Sequence, residues 1–308
     1  MVRTLPKIEL KKTDILIWHY TSPEVFWKIL EGELYATHYR FLNDSKEIEY
    51  GLDAFEKVLS ALQKELPYAV NILKYIRQQD SFLFCFSKEC DSLAQWRAYT
   101  PRGGVSIGFS YNEIAMLLNS YSVPVTEQFY NFALHDCKYC NRSVIERYVR
   151  YVTYLIVNKK GSACRCLLED NDTTRIQGAR FDGDFSKGFT EEIQEQIKSP
   201  QFYNDVLSAT VLLDQLSKRS LSFKNPSFRL ENECRLTVQG ENYKREIEMI
   251  GGKPRIRIRL DGLLTTIKEV YVSPHGEPER NEILANIAKE RFGLNFKIRR
   301  SLSSFNGP

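Results

Sequence analysis

Long apolar runs are missing from this sequence. None reaches the roughly 20 residues that a bilayer-spanning helix needs. The N-terminal stretch MVRTLPKIELKKTD has no apolar core of the kind a secretory leader carries. Charge of one sign is missing as well. The 43 Lys and Arg stand against 39 Asp and Glu, a net +4 over 308 residues. Affinity for polyanions or for a membrane surface therefore does not follow from net charge. The seven cysteines are an odd number spread along a long chain, so they read as thiols and not as a disulfide framework. Together these absences place the expectation in the cytoplasm.

Repeats, low-complexity tracts and a Pro/Gly/Ser-rich linker are absent too. So are the glycine patterns that cradle phosphates, GxGxxG and GKS/T. No D…ExK arrangement stands out, which weakens a metal-dependent nuclease reading. What is present suits a folded enzyme or binding domain. Hydrophobic residues make up 43%, enough for a sizeable core, and the 27% charged residues match an ordinary surface.

Strand and helix signals mix without strict alternation. ILIWHY reads as a short buried strand, followed by Ser22 and Pro23 as N-cap and first helical residue of PEVFWKILEG. ELYATHY is a second strand. Asp44 and Glu47 have capping-box spacing before a long amphipathic helix. SFLFCFS is a continuous apolar run of strand length and predicts a central strand. SLAQWRAY predicts a helix, and PRGG a turn into the strand VSIGFS. Residues 142–159 read as helix, and Glu169 to Lys187 as a long surface loop rich in Asp, Gly, Thr and Arg. REIEMI, GGK and PRIRIRL make a hairpin with a Gly-Gly turn. IKEVYVS, a helix near 279–291 and FKIRR close the chain. The fold class expected is α+β, with a mixed, mostly antiparallel central sheet. It is read as a single domain over 1–308 with a largely helical insertion at about 141–220.

Candidate chemistry sits in few places. His19 stands where the first strand gives way to a helix cap, beside Tyr20 and Thr21. Its plain alternative is a packed structural histidine. Ser87 ends the apolar strand, where it holds either a ligand or only a turn. Gly103 and Gly104 let a backbone approach a ligand, or simply make the turn. His135, Cys137 and Cys140, with Cys164 and Cys166, have permissive but weak zinc spacing, and ordinary thiols are the alternative. FRLENECRL alternates as a strand. That places Glu231, Glu233 and Arg235 on one face. In a cleft, such a carboxylate stabilises a developing cation, as glycosyl transfer demands. On an open edge the trio is a solvated face.

WHYTS, RFLNDSKEIEYG, FCFSKECDSLAQWRAYTPRGGVSIGF, CKY, LSFKNPSFRLENECRL and IKEVYVSPHG occur in that order. As an ordered set, from about Ile15 to Phe292, they resemble the bacterial domain-of-unknown-function family 2971. A looser likeness is to ADP-ribosyltransferase-like proteins. It implies a fold of that kind and an enzyme that consumes NAD, by transfer or glycohydrolysis, as a bacterial toxin or antiphage defence effector. It implies no metal and an acceptor of unstated class. On this likeness His19 grips a ribose, and Tyr35, Tyr39 or Ser87 takes the second motif position. Glu233 is the catalytic carboxylate, with Glu231 in the E-x-E position. Arg40 or Arg235 holds the pyrophosphate, Tyr20 and Trp96 supply aromatic surface, and Asn43 shapes the entrance. The competing expectation is a non-enzymatic module that binds a ligand or partner through the same cleft.

Overall fold

The computed structural model describes residues 8–42, 45–63, 69–78, 80–121, 131–158, 216, 219–239, 244–250 and 252–303. The loop expected over Glu169 to Lys187, and Asn43, Asp44, Cys164 and Cys166, lie outside them. In chain order the first elements are β1 (Leu16–Thr21), α1 (Pro23–Leu30), β2 (Tyr35–His38), α2 (Ser45–Ala61), α3 (Ala69–Gln78) and β3 (Ser81–Ser87). Next come α4 (Leu93–Tyr99), β4 (Val105–Ser110), α5 (Tyr111–Tyr121), β5 (Asn131–Asp136), β6 (Lys138–Tyr139) and α6 (Arg142–Asn158). The remainder are β7 (Phe223–Lys224), β8 (Glu233–Gln239), β9 (Arg245–Ile250), β10 (Lys253–Arg259), β11 (Ile267–Val272), α7 (Pro278–Arg291) and β12 (Lys297–Arg300).

Two compact units result. One holds Met1–Pro6, Lys46–Gln79 and Cys140–Asn225, and the other holds Lys7–Ser45, Asp80–Tyr139 and Pro226–Pro308. Of the helical insertion expected at about 141–220, the described part is chiefly α6. Within the first unit Arg77 pairs with Glu49 at 2.8 Å and Glu56 at 2.7 Å. Phe223 meets the rings of Phe55 and Tyr148 edge-on.

The second unit is built on one large sheet. Its order is β12-β11-β4-β1-β3-β2-β10-β9, with β8 added to β3 and β5 added to β8. Every pair is antiparallel except β11 with β12. This is the expected α+β class. SFLFCFS does form the central strand, and it has three neighbours. Strand β8 runs along the whole of β3, from Ser81 opposite Gln239 to Ser87 opposite Glu233. The other edge of β3 is shared, by β1 at Ser87 and by β2 at Phe82 and Leu83. The sheet therefore forks at the middle of β3.

Alternation sorts the side chains of the trunk. Phe82, Phe84 and Phe86 of β3 and Cys234, Leu236 and Val238 of β8 point to one face. There they pack with Phe26 and Ile29 of α1, Ile114 and Leu118 of α5, and Ala285 and Ala288 of α7. The other face carries Ser87, Cys85, Glu233, Arg235 and Thr237, and through the opposition of Trp18 to Ser87 it carries Trp18 and Tyr20 as well. Trp96 of α4 closes on those two aromatics, its ring 4.6 Å from that of Tyr20.

Two glycines make that packing possible. A Cβ at Gly108 would lie 2.6 Å from the Trp18 ring, and one at Gly104 would lie 2.3 Å from the Thr21 carbonyl oxygen. The glycines of PRGGVSIGF thus admit the chain's own groups. Ser22 caps α1 by accepting from Val25 N–H, with Pro23 at the first position, as the sequence predicts.

Trp96 is 0% exposed, and its Nε1 donates to Asp91 Oδ1 at 2.7 Å. Trp96→Ala is expected to cost about 3–5 kcal/mol through the cavity it leaves. Denaturant titration of the two proteins measures this, and a loss below about 1 kcal/mol would contradict the packing described.

Candidate functional site

The strand expected over FRLENECRL begins only at Glu233. Pro226–Glu231 forms a 3-10 turn, and Asn232 takes a left-handed conformation with φ 42°. That single residue breaks the alternation. Glu231 therefore does not stand on the face of Glu233 and Arg235, and the acid-acid-base row is corrected to one pair. What Glu231 supplies is its carbonyl, which accepts from Ser87 Oγ at 2.8 Å and from Gln95 Nε2 at 3.0 Å. Asn232 Nδ2 donates to Glu89 Oε1 at 2.7 Å, and its carbonyl accepts from Lys88 N–H. Ser87 holds this corner as a cap.

Glu233 and Arg235 are not a solvated face. They are 6% and 3% exposed. Arg235 Nε donates to Glu233 Oε1 at 2.6 Å and its Nη2 to Oε2 at 3.2 Å, so the fork of the guanidinium takes both carboxylate oxygens. Around the pair the strands place Cys85 and His135 directly opposite Arg235, on either side. Glu233 N–H donates to Tyr139 Oη at 2.7 Å, and Cys137 N–H donates to the Glu233 carbonyl. Burial, and then the Glu233 carboxylate, push the Cys85 thiol well above its ordinary range. Cys85 is thus an inert thiol beside a charge pair. These neighbours were readable only once β5, β8 and β3 were known to pair. The alternation of His135 with Cys137 was the one signal in the sequence.

His19 lies elsewhere. It stands opposite Ile107 in β1, on the core side of the sheet, while Glu233 stands on the other side with Ser87. The expected placement of His19 across a cleft from Glu233 is corrected by this register. His19 is instead set in the fork. Its ring stacks on Phe84 with centroids 4.4 Å apart. Nδ1 lies 3.0 Å from the Cys85 carbonyl. A carbonyl only accepts, so the neutral ring carries its proton on Nδ1 and leaves the lone pair on Nε2. Among the described residues nothing pairs with Nε2. The residue is partly exposed. Burial lowers its pKa, against the opposing effect of the Cys85 hydrogen bond, so the ring is neutral at pH 7.

His38, which no motif singled out, makes the contrast. It faces the same side from β2, opposite Phe82. Its Nε2 is 3.3 Å from Asp80 and its Nδ1 accepts from Arg40 N–H. Both nitrogens are used.

The other candidates are dispersed. Tyr20 Oη donates to the Glu89 carbonyl and accepts from Ser92 N–H, which ties a loop down. Burial raises its pKa. Thr21 is buried with its carbonyl against Gly104. Tyr35 lies under the Arg257 guanidinium at 3.8 Å. Tyr39 is buried and its hydroxyl accepts from Arg40 Nε at 2.9 Å. Trp96 is a core residue. The structure thus joins Ser87, Glu231, Glu233 and Arg235 at one corner, and Tyr20 with Trp96 beside it. His19 stands at the fork. Tyr35, Tyr39 and Arg40 are not brought to the Glu233 corner by the strand register. Among the described residues no three His, Cys, Asp or Glu side chains form a group that could hold a metal ion. No described helix is long and apolar enough to cross a membrane.

Two expectations follow. Glu233→Gln leaves a buried guanidinium without its anion and should cost about 3–5 kcal/mol, whereas replacing both partners by apolar residues of like volume should recover most of it. Urea titrations of the single and double variants distinguish these, and a neutral single variant would contradict the pair's burial. The second concerns acid. His19 has a folded pKa below its usual 6.5. The unfolded chain therefore binds the proton first, so stability is complete above about 6.5 and falls as pH drops through the lowered value, by up to about 1.4 kcal/mol per pH unit. His19→Asn, which keeps a donor for the Cys85 carbonyl, should flatten that limb. Melting temperatures measured from pH 7.5 to 4.5 test it.

Neither the search of curated proteins nor that of solved structures gives a match for the chain. A family model does match, over residues 95–236, a span that runs from α4 to the middle of β8 and takes in Trp96, the glycine turn, β5 and the Glu233–Arg235 pair. Over that span, a little under half of its length, the chain is similar to the family described as Protein of unknown function (DUF2971).

Proposed function

We propose that this chain is a ligand-binding module whose site is the fork in the sheet, with His19 Nε2 as the group that reads the ligand. The observation that carries this is the half-used imidazole. Nδ1 is fixed by a backbone carbonyl, the ring is held flat on Phe84, and Nε2 keeps a lone pair with no partner among the described residues. A neutral, oriented acceptor of this kind selects a ligand that offers a hydroxyl or N–H. Glu233 supports the same reading in the negative. Stabilising an oxocarbenium-like centre takes a carboxylate aimed at substrate. Both oxygens of Glu233 are committed to Arg235 on the other face of the sheet. The pair braces the trunk.

NAD, the substrate that the likeness to ADP-ribosyltransferases implies, carries ribose hydroxyls of the required kind and is the first ligand to test. Calorimetric titration with NAD is expected to show binding without nicotinamide release. His19→Asn should weaken it about tenfold, the worth of one hydrogen bond. Unchanged affinity in His19→Asn would remove the fork from the site. Release of nicotinamide by the wild type would establish the NAD-consuming enzyme instead.

A further inference from the structure

His38 ends β2, and its side chain does two jobs at once. Its Nδ1 accepts from Arg40 N–H at 3.3 Å and so caps the 3-10 turn Tyr39–Phe41. An amide N–H only donates, so Nδ1 holds a lone pair and the neutral ring carries its proton on Nε2. That proton points to Asp80 Oδ1, 3.3 Å away. The rings of Tyr39, Phe41 and Phe82 pack around the imidazole, with centroids 5.0, 5.6 and 5.4 Å from it. The residue is 7% exposed. The charged groups facing it are Asp80, just before β3, Arg40 in the turn and Arg245 at the start of β9. Asp80 favours a cation on the ring, but Arg245 already pairs with that carboxylate.

We infer that His38 is an acid-sensitive latch: neutral, it holds the turn Tyr39–Phe41 closed, and protonation of Nδ1 releases that turn. The second proton has one place to go. On Nδ1 it meets the Arg40 N–H, donor against donor, and the cap is lost. The turn's own closing bond, from Leu42 N–H to the Tyr39 carbonyl, is long at 3.4 Å and holds it weakly. Burial first, and then Arg40 and Arg245, keep the latched ring's pKa below its usual 6.5, against the pull of Asp80. A released ring titrates at the ordinary value, so the released form takes up the proton first. The latch is therefore complete above about pH 6.5. It weakens as the pH falls through the lowered value, by at most about tenfold per pH unit for one linked proton. The place of the turn gives release a consequence. The chain leaves the second unit after Ser45 and returns to it at Asp80. Within that unit the latch ties the last turn before departure to the first residue after return. Acid frees the departing segment, whether or not the fork takes a ligand.

Nitrogen-15 NMR of the full chain between about pH 7.5 and 4.5, with amide-exchange protection followed over the same range, is the test. The His38 ring signals are those lost in His38→Gln. At the upper pH they should show the Nε2–H tautomer. As the ring charges, protection of the Arg40 and Leu42 amides should fall, by up to about tenfold per pH unit. In His38→Gln the side-chain oxygen accepts from Arg40 and the amide donates to Asp80, and nothing at that position titrates. The fall at Arg40 and Leu42 should then vanish. An Nδ1–H tautomer in the wild type overturns the inference. So does a charged His38 beside undiminished protection of the turn. A fall that persists in His38→Gln also overturns it, because the titrating group then lies elsewhere. The tautomer and the wild-type protection decide the matter even where the variant fails to fold.

Discussion

A strand has two edges, and β3 serves three strands with them. Everything in the second unit follows from how that shortage is resolved. Strand β8 takes one edge entirely, and β1 and β2 divide the other. Where they part, the backbone of β3 loses a strand partner. Buried carbonyls left without a donor cost free energy comparable to a lost hydrogen bond. The imidazole of His19 supplies that donor at Cys85. One side chain thus completes the ladder of a split sheet, and completing it with a ring instead of a backbone amide leaves a second nitrogen over.

The polar side of the trunk obeys a different constraint. Glu233 and Arg235 are two residues apart on one strand, so they share a face and meet without any loop or helix to bring them together. The geometry is bidentate, which offsets the desolvation that burial imposes on each charge. Ser87, Gln95 and Tyr139 then fasten the entry to β8 through the backbone of Glu231 and Glu233, and Asn232 fastens it through the Glu89 carboxylate.

Much of this architecture was legible before any coordinates. The apolar run at 81–87, the Ser-Pro start of α1, the glycine turn before β4 and the hairpin at 245–259 are local signals, and each stands where its chemistry requires. Gly252, at φ 76°, closes the two-residue turn between Ile250 and Lys253. The site was less legible because its facts are not local. A left-handed Asn232 cannot be told from an ordinary one in EN-E alternation, yet it removes Glu231 from the strand. Whether His19 and Glu233 share a face depends on register between strands far apart in the chain, and alternation within a segment says nothing of that. The burial of Glu233 and Arg235 is likewise decided by their neighbours in the sheet.

The shared strand also sets an order of events during synthesis. SFLFCFS leaves the ribosome long before its partner β8 exists. At about 5–20 residues per second the interval amounts to roughly 7–30 s. For that time three phenylalanines on one face and an unpaired edge on each side stand in the nascent chain, with only β1 and β2 available to cover part of one edge. Non-local pairing of this kind is slow to form and open to aggregation meanwhile. The yield of folded chain should therefore depend on how well those seven residues are shielded until Glu233–Gln239 arrives, and hence on chaperone supply and on translation rate across the helices in between.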